Sequence, residues 1–485
     1  MTAFLKNALA FESKHDRVLK KDGDVLKKDG HLFKKTTVSF RQRKKTCFIS
    51  NKKTMIKQYI TQALAQLRQQ PIISAVSIIG TALAIFLIML VVMMQQVKTA
   101  PFAPESNRDR FLHAHYLTLE NKNWGENSSN GPMSTQTAKE LYVSLKTPEA
   151  VTIYGCDAIT TPVSLPKQPA TSFDLRQTDD VFWKVFDVQF IDGKPYDKAT
   201  FEASIPVAVL SETVARTIFG TTKGIVGKEF LLSHAPFQVC GVVKDVSTLA
   251  TNAYGQVWVP YTAGGLDKDV WNGPHMGMMS CTLLAKSRED FSAIREEADR
   301  RLEAYNQIIG EDGWNIVSRN RPYDQEKQSI AFAANWEPDL KAHRKQQLII
   351  FLILLIVPAI NISSMTQSRL RQRVSEIGVR RAFGSTRLEV MSQIIAENFI
   401  ITLMAGTLGL LMSVVFAFVG SSVIFAQEYN YSIVLPEVNI TMLLQWDTFF
   451  WAFFFCFVLN LLSSGFPAWR ASRIGIVNAI SGKLQ

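Results

Sequence analysis

Residues 72–94 read IISAVSIIGTALAIFLIMLVVMM, twenty-three positions without a charge. As a helix rising ~1.5 Å per residue this run covers the ~30 Å hydrocarbon core of a bilayer. Leu348–Thr366, Ile394–Ala426 and Thr448–Phe466 are comparable, interrupted only by Glu397. A buried helix of a soluble protein competes as a reading, but such uncharged runs seldom exceed about 14 residues. Four transmembrane helices are therefore expected, at 72–95, 347–366, 394–426 and 448–466, with residues 96–346 looped out between the first and second. The mean hydropathy of +0.06 averages over these two kinds of sequence.

The formal charge of +11 is concentrated at one end. Residues 1–54 hold 15 Lys/Arg against 5 Asp/Glu, whereas residues 96–346 hold 27 against 31. No basic face for nucleic acid remains once the tail is set aside. Lys and Arg near span ends set orientation. Arg369, Arg371, Arg373, Arg380, Arg381 and Arg387 lie between the second and third spans, and residues 427–447 between the third and fourth have none. The first of these segments is cytoplasmic and the second a short external loop, which places both termini inside, including the C-terminal stretch 467–485. Lys341, Arg344 and Lys345 on the outer flank of the second span dissent mildly from this rule.

Residues 1–54 contain the near-repeat VLKKDGD (18–24) and VLKKDGH (25–31), which lacks the alternating oxygen ligands and closing Glu of a calcium loop. They read as a disordered basic tail able to touch anionic lipid, or as an extension upstream of a start at Met55. Ile56, Tyr59, Ile60, Ala63, Leu64 and Leu67 form one apolar stripe, so 55–71 is expected as an amphipathic helix along the inner membrane surface. Of five cysteines only Cys156, Cys240 and Cys281 fall outside the membrane and cytoplasm, too few for a disulfide scaffold; free thiols are the expectation.

The segment 96–346 alternates strands and helices. Phe111–Leu119 alternates like a strand, Ser134 can cap a helix reaching Leu145, and Val151–Tyr154 returns as strand. Met278–Ala285, a helix capped by Ser287 with Asp290 and running to about Asn306, and Trp314–Ser318 repeat that order. Two β-α-β units separated in sequence suggest one split sheet-and-helix layer. The stretch between them, about 173–261, is rich in Gly, Pro and short β runs and reads as an inserted subdomain. The fold class is thus an α+β membrane protein, with four transmembrane helices and a large extracytoplasmic α/β domain of two subdomains.

The search for chemistry returns mostly absences. Gly224–Glu229 has neither the spacing nor the hydroxyl of a phosphate loop, and no Gly-x-Ser-x-Gly, His-Glu-x-x-His or Cys-x-x-Cys occurs. His113 and His115 share a strand face, but without a third ligand they are expected as exposed polar residues. Glu397 is a lone acid inside a span, a functional candidate that a place near a helix N-terminus would also explain.

The positive signal is RVSEIGVRRAFGSTR, residues 373–387. It reads as a short charged helix stopped by Gly384, with Thr386 and Glu389 able to cap the next. A cytoplasmic helix held between two spans by a tight turn is suited to transmitting force. This stretch resembles the coupling segment of the FtsX-like permease family, Arg-Glu-Ile-Gly-Ile-Arg-Arg-Ala-Leu-Gly-Ala-Ser/Thr, with Ser375 for the first Arg and Phe383 for Leu. Glu397, Gly406 and Gly409 match the Glu and paired glycines that follow it. Gly465-Phe-Pro-Ala-Trp-Arg-Ala-Ser-Arg473, with Pro467, Arg470 and Arg473, then Val477-Asn-Ala, resembles the family's closing motif, Asn478 replacing Glu. The runs 182–186, 192–195, 205–220, 226–230 and 239–245 resemble the periplasmic core domain of the macrolide-exporter branch. The resemblance covers about Met55–Ala479, and residues 1–54 have no counterpart in it.

What the resemblance implies is a permease half of an ABC transporter in the bacterial inner membrane, with its large domain in the periplasm. Its partners would be a cytoplasmic ABC ATPase subunit, a second permease copy in a homo- or heterodimer, a periplasmic adaptor and outer-membrane channel, and membrane lipid. ATP and magnesium would belong to the ATPase; this chain would hold no cofactor, no metal and no catalytic residue. The coupling segment, 367–396, would place Glu376, Ile377, Arg380, Arg381, Phe383 and Gly384 at the ATPase. Ile377 and Phe383 would fill its groove, the two arginines would make polar contacts and Gly384 would fix the turn. Movement of the periplasmic domains by this mechanotransmission would drive export of amphipathic compounds or peptides. Regulation of a cell-wall hydrolase and lipoprotein extraction are the alternatives, and the size of the external domain disfavours the first of them.

Overall fold

The structure, a computed structural model, describes residues 61, 71–125, 127–420 and 446–473. The basic tail, nearly all of the amphipathic helix expected at 55–71, residues 421–445, which hold the end of the expected third span and most of the expected loop 427–447, and the closing residues beyond 473 lie outside the described residues. The chain divides into two compact units, 77–364 with 402–463 and, separately, 365–401 with 464 onward and the residues up to 76.

Helix α1 (Pro71–Thr99) contains the opening apolar run and carries it past residue 95. Proline suits a first helical position, because its missing N–H would have no partner there. In the larger unit α1 leads into a β-rich domain that begins with β1 (Phe111–Ala114), β2 (Leu117–Asn121), β3 (Ser128–Gly131) and β4 (Ala150–Gly155). The stretch Phe111–Leu119, expected as one strand, is two. β1 pairs with a late strand at 279–284, whereas β2 pairs with β3 and with a strand at 314–317. Alternation runs through the break because β1 and β2 are buried almost throughout, each in its own sheet.

Next come β5 (Ile159–Ser164), β6 (Thr171–Thr178), β7 (Phe190–Gly193), β8 (Val207–Ser211), helix α2 (Glu212–Phe219), β9 (Glu229–Leu232), β10 (Ala235–Val243) and β11 (Val257–Pro260). Six of these strands close a ring. β5 pairs with β6, β6 with β11, β11 with β8, β8 with β10, β10 with β9, and β9 with β5 again. Closure removes the unpaired edges that a sheet of short strands would otherwise expose. The ring takes in Ile159–Pro260 and so opens before Phe173. Ala208, Leu210, Val214, Phe230, Val239, Val242, Val257 and Val259 are among the residues of its core.

The chain returns as β12 (Val270–Trp271), β13 (Met276–Gly277), β14 (Met279–Leu284), helix α3 (Phe291–Gly310), β15 (Trp314–Val317) and β16 (Tyr323–Asp324). The sheet continues β6–β4–β14–β1–β16, while β15, β2 and β3 form a separate three-stranded sheet. Ser287 and Asp290 make the expected capping box one turn ahead of α3. On α3 the buried residues Ile294, Ala298, Tyr305 and Ile309 fall on one stripe, which packs with Leu141, Met279 and Leu283. Cys156, Cys240 and Cys281 are free thiols.

Where α1 ends, two buried polar arrangements fix the chain. Arg108 and Glu105 pair at 2.6 Å with their side chains 2% and 0% exposed. The Arg108 guanidinium donates to the carbonyls of Val97 (2.7 Å), Ala100 (3.2 Å) and Leu249 (2.9 Å), and Glu105 accepts from the backbone N–H groups of Asn252 and Ala253. The last carbonyls of α1 are thereby bound to a loop about 150 residues further along the chain, the partners being 147 and 148 positions apart for Glu105. His113, expected to be exposed, is fully buried. Its Nε2–H donates to Gln325 Oε1 at 2.8 Å and its Nδ1 lies 3.1 Å from Thr282 Oγ1; Gln325 in turn donates to the Lys98 carbonyl. Burial lowers the His113 pKa to about 4.

The remaining long helices are α4 (Leu340–Gln372), α5 (Val374–Ala382), α6 (Arg387–Val419) and α7 (Trp446–Ser472). α4 and α7 contain the second and fourth apolar runs, and α6 contains the third up to Val419. Among the described residues, Ser74–Thr99 and Arg387–Val419 are long and apolar enough to cross a membrane. In the larger unit α6 crosses α1 closely at Gly409, where an added Cβ would stand 2.5 Å from the Ala82 carbonyl oxygen. That clearance explains a glycine in the middle of an apolar helix.

Candidate functional site

The segment from Arg373 to Glu397 lies within the smaller unit and is built from local signals. Arg373 leaves helical geometry at φ −113°, ψ 11°, ending α4, and α5 begins at once. Its far end is a Schellman turn, in which the Ser385 N–H donates to the Arg380 carbonyl and the Gly384 N–H to the Arg381 carbonyl, both at 3.1 Å. Gly384 takes φ +103°, and an added Cβ would touch nothing within 4 Å. The glycine is thus required by backbone conformation and not by space. Thr386 and Glu389 then cap α6 reciprocally, at 3.2 and 2.9 Å.

The seat of α5 is a small apolar cluster of Ile377, Val390, Ile394 and Ala468, with Leu370 and Met391 packed on it. Ile377 is 9% exposed, so it anchors the helix to its own chain and is not available to fill a partner's groove. The reason is helical phase. Val374, Ile377 and Gly378 fall on the buried side, while Val379 lies on the other side and Phe383, just past the helix, also faces out. Phe383 is 89% exposed, which for a large aromatic side chain leaves nearly all of its apolar surface in contact with solvent.

A closed ring of polar contacts surrounds the seat. Arg373 donates to Glu376 at 2.9 Å and to Glu397 at 3.1 Å. Gln393 donates to Glu397 at 3.0 Å, and Arg380 donates to Gln393 at 2.9 Å and to Glu376 at 2.6 Å, which closes the circuit. The hydrogen bond from Arg373, aided by its charge and that of Arg380, holds the Glu376 carboxyl below the usual carboxylate range. Glu397 is thus paired with a cation from the neighbouring turn, which accounts for an acid at the head of an apolar helix. Arg381 is half-buried.

The structure therefore gathers Glu376, Ile377, Arg380, Gly384 and Glu397 around one seat and leaves Phe383 outside it. Arg373 and Gln393 complete the ring and were missed as site residues. The i,i+3 and i,i+4 spacing of Arg373, Glu376 and Arg380 carried part of the signal. Gly406 is buried in α6, and Gly409 belongs to the close crossing already described. Near the end of α7, Pro467 is buried, Arg470 is exposed, and the Arg473 guanidinium lies 4.2 Å from the Trp469 ring centre. Among the described residues no three His, Cys, Asp or Glu side chains group as a metal site.

Two families match this chain: the MacB-like periplasmic core domain over residues 74–301, and the FtsX-like permease C-terminal domain over 348–476. The chain belongs to the FtsX-like permeases that carry a MacB-like periplasmic core domain. The second match contains the whole polar ring and its apolar seat. This permease is 23% identical over 316 residues to the macrolide export ATP-binding/permease protein MacB of Burkholderia cenocepacia, covering 62% of this chain and 40% of that one. It is 25% identical over 311 residues to a MacB of Yersinia pestis, covering 62% and 42%. The permease thus matches less than half the length of these relatives. Among solved structures, the periplasmic region of MacB from Actinobacillus actinomycetemcomitans aligns at 20% identity and a TM-score of 0.30, over 43% of this chain and 90% of that one.

Proposed function

We propose that this permease is the membrane subunit of an ABC transporter of the mechanotransmission type. Its α5 segment takes the stroke of a separate cytoplasmic ATPase, and its periplasmic core domain is what the stroke moves. The observation that carries this reading is the outward side of the coupling segment, where Val379 (45% exposed) and Phe383 (89% exposed) stand beside a fixed turn. Ile377 holds the helix to its own chain, and the exposed pair is the apolar plug offered to the ATPase. In this reading the chain crosses a bacterial inner membrane four times, with both termini in the cytoplasm and residues 96–346 in the periplasm. ATP and magnesium act in the partner. A second permease copy, an adaptor and an outer-membrane channel complete an export system for amphipathic compounds or peptides; the MacB relatives are named for macrolide export.

The test is co-purification from native membranes in mild detergent. A P-loop ATPase is expected with the wild type and is lost from Phe383→Ser, while the melting temperature of the permease stays unchanged. Absence of an ATPase from the wild-type preparation overturns the transporter reading. Retention by Phe383→Ser moves the contact elsewhere on the segment.

A further inference from the structure

Between β16 and α4 the chain forms a strap, residues 329–339, pinned from behind. Arg321 donates to the Ala333 carbonyl at 3.1 Å and Thr118 to the Ala334 carbonyl at 3.2 Å. Glu337 accepts from Asn320 at 2.9 Å and pairs with Lys327 at 2.6 Å. Ala334 and Pro338 are buried. Yet the strap's two large aromatic side chains point away from this anchorage. Phe332 is 76% and Trp336 41% exposed, with ring centres 4.9 Å apart. A segment fixed by this many bonds, with its apolar side chains outward, has something to cover them.

Two features identify the cover. α4 starts at Leu340 without interruption, and its exposed apolar residues begin at Leu348, Ile349, Leu352 and Ile353. The first exposed hydrocarbon-facing position is thus about 12 Å along the helix from the strap's end. Between the two lie Lys341, Arg344 and Lys345, all exposed, and Arg344 is tied to Glu326 at 2.7 Å. The order aromatic pair, cationic turn, apolar helix is that of a membrane–water interface. Indole and phenyl rings rest at headgroup level there, and Lys and Arg meet lipid phosphates. These three cations were the ones that dissented from the positive-inside pattern.

We infer that the strap 329–339 docks on the outer leaflet of the inner membrane, with Phe332 and Trp336 seated among the headgroups and Lys341 and Lys345 facing phosphate. The inference rests on α4 being a membrane span. It would hold the base of the periplasmic domain at the bilayer surface beside the point where α4 enters.

The experiment uses the full chain, its five native cysteines replaced by alanine so that only the introduced thiol is labelled, in nanodiscs of phosphatidylethanolamine and phosphatidylglycerol, spin-labelled at one position at a time through Phe332→Cys, Trp336→Cys, Ile353→Cys or Ile308→Cys. Ile308 is 67% exposed on α3 and serves as the water-facing reference. Collision with oxygen relative to a water-soluble nickel chelate reports depth. At 332 and 336 the ratio is expected above that at 308 and below that at 353. A label at 332 as accessible to nickel as one at 308, with 353 in lipid, overturns the inference and leaves the span intact. A water-accessible label at 353 overturns the span itself. A label at 332 shielded from both reagents and dipole-coupled to its copy in a second subunit shows a protein contact instead, which also overturns the inference.

Discussion

Two arginines do opposite kinds of work in this chain. Arg108, at the end of α1, is 2% exposed, donates to three backbone carbonyls and pairs with a fully buried Glu105. Arg373, at the end of α4, is 24% exposed and joins a ring in which Glu376 and Arg380 are partly open to solvent while Glu397 is 8% exposed. The first arrangement is a fixed joint, because separating its parts would strand a charge out of water. On its Glu376 side the second can be rearranged at low cost, because water can replace those exposed contacts as they break. The end of α1 is thus a fixed joint to the β-rich domain, whereas the Glu376 side of the Arg373 ring is held more loosely.

The largest effect is expected from Arg108→Met. Glu105 would remain buried with only two backbone N–H donors, and a loss of about 3–5 kcal/mol is expected, read as an earlier urea midpoint in detergent. Faster hydrogen exchange should appear in residues 247–254, whose carbonyl and amide groups the pair holds. If Arg108→Met unfolds no earlier than variants of the coupling ring, the two arginines are equivalent and the distinction fails.

The second effect is a pH dependence of the same region. His113 is neutral when folded, with a pKa lowered to about 4 from 6.5. Between those values the unfolded chain binds the extra proton, so its contribution to stability is whole above pH 6.5 and is lost as pH falls towards 4. The loss amounts to about 3 kcal/mol at most. His113→Gln should flatten this part of the stability–pH curve, and a curve unchanged in shape would remove His113 as its source.

What the sequence disclosed and what it withheld divide along the same line. The uncharged run 72–94, the stop at Gly384, the Thr386–Glu389 cap and the Ser287–Asp290 cap are all short-range patterns, and each has its structural counterpart. The Glu105 contacts span 147 residues, the His113–Gln325 bond spans 212, and the closure of the strand ring depends on β5 meeting β9. No local window contains both partners of such contacts, so His113 read as exposed and β1 and β2 read as one strand. Ile377 differs, because its phase with Val374 and Gly378 was present in the nine residues of α5. A helix that short gives too few turns for periodicity to outweigh the resemblance that placed Ile377 at the partner.

Ile377→Ala addresses that point and is third in size. Removing a buried side chain from a cluster of four should cost about 2 kcal/mol, at the low end for such truncations because the cluster is small. The change should appear as faster exchange across α5 and an earlier melt of the smaller unit. If the melt is unaffected while ATPase binding is lost, Ile377 faces the partner after all, and the seat described here is wrong.

The smallest effect expected is that of Glu376→Gln. Glu376 accepts from both Arg373 and Arg380, yet its side chain is 44% exposed, and ion pairs of that kind contribute about 0–1 kcal/mol. The carboxyl is held below its usual range by those arginines, so the contribution is present at neutral pH and fades only as acid protonates it. Glutamine keeps the shape and one acceptor oxygen, and Arg373 keeps Glu397. Stability should therefore barely move, and salt should erase what difference exists. A shift as large as that of Arg108→Met would mean that the ring is a fixed joint like the one at the end of α1. A small, salt-sensitive shift means that the Glu376 side of the ring can exchange its contacts for water, as the proposed reading of α5 as a coupling helix requires.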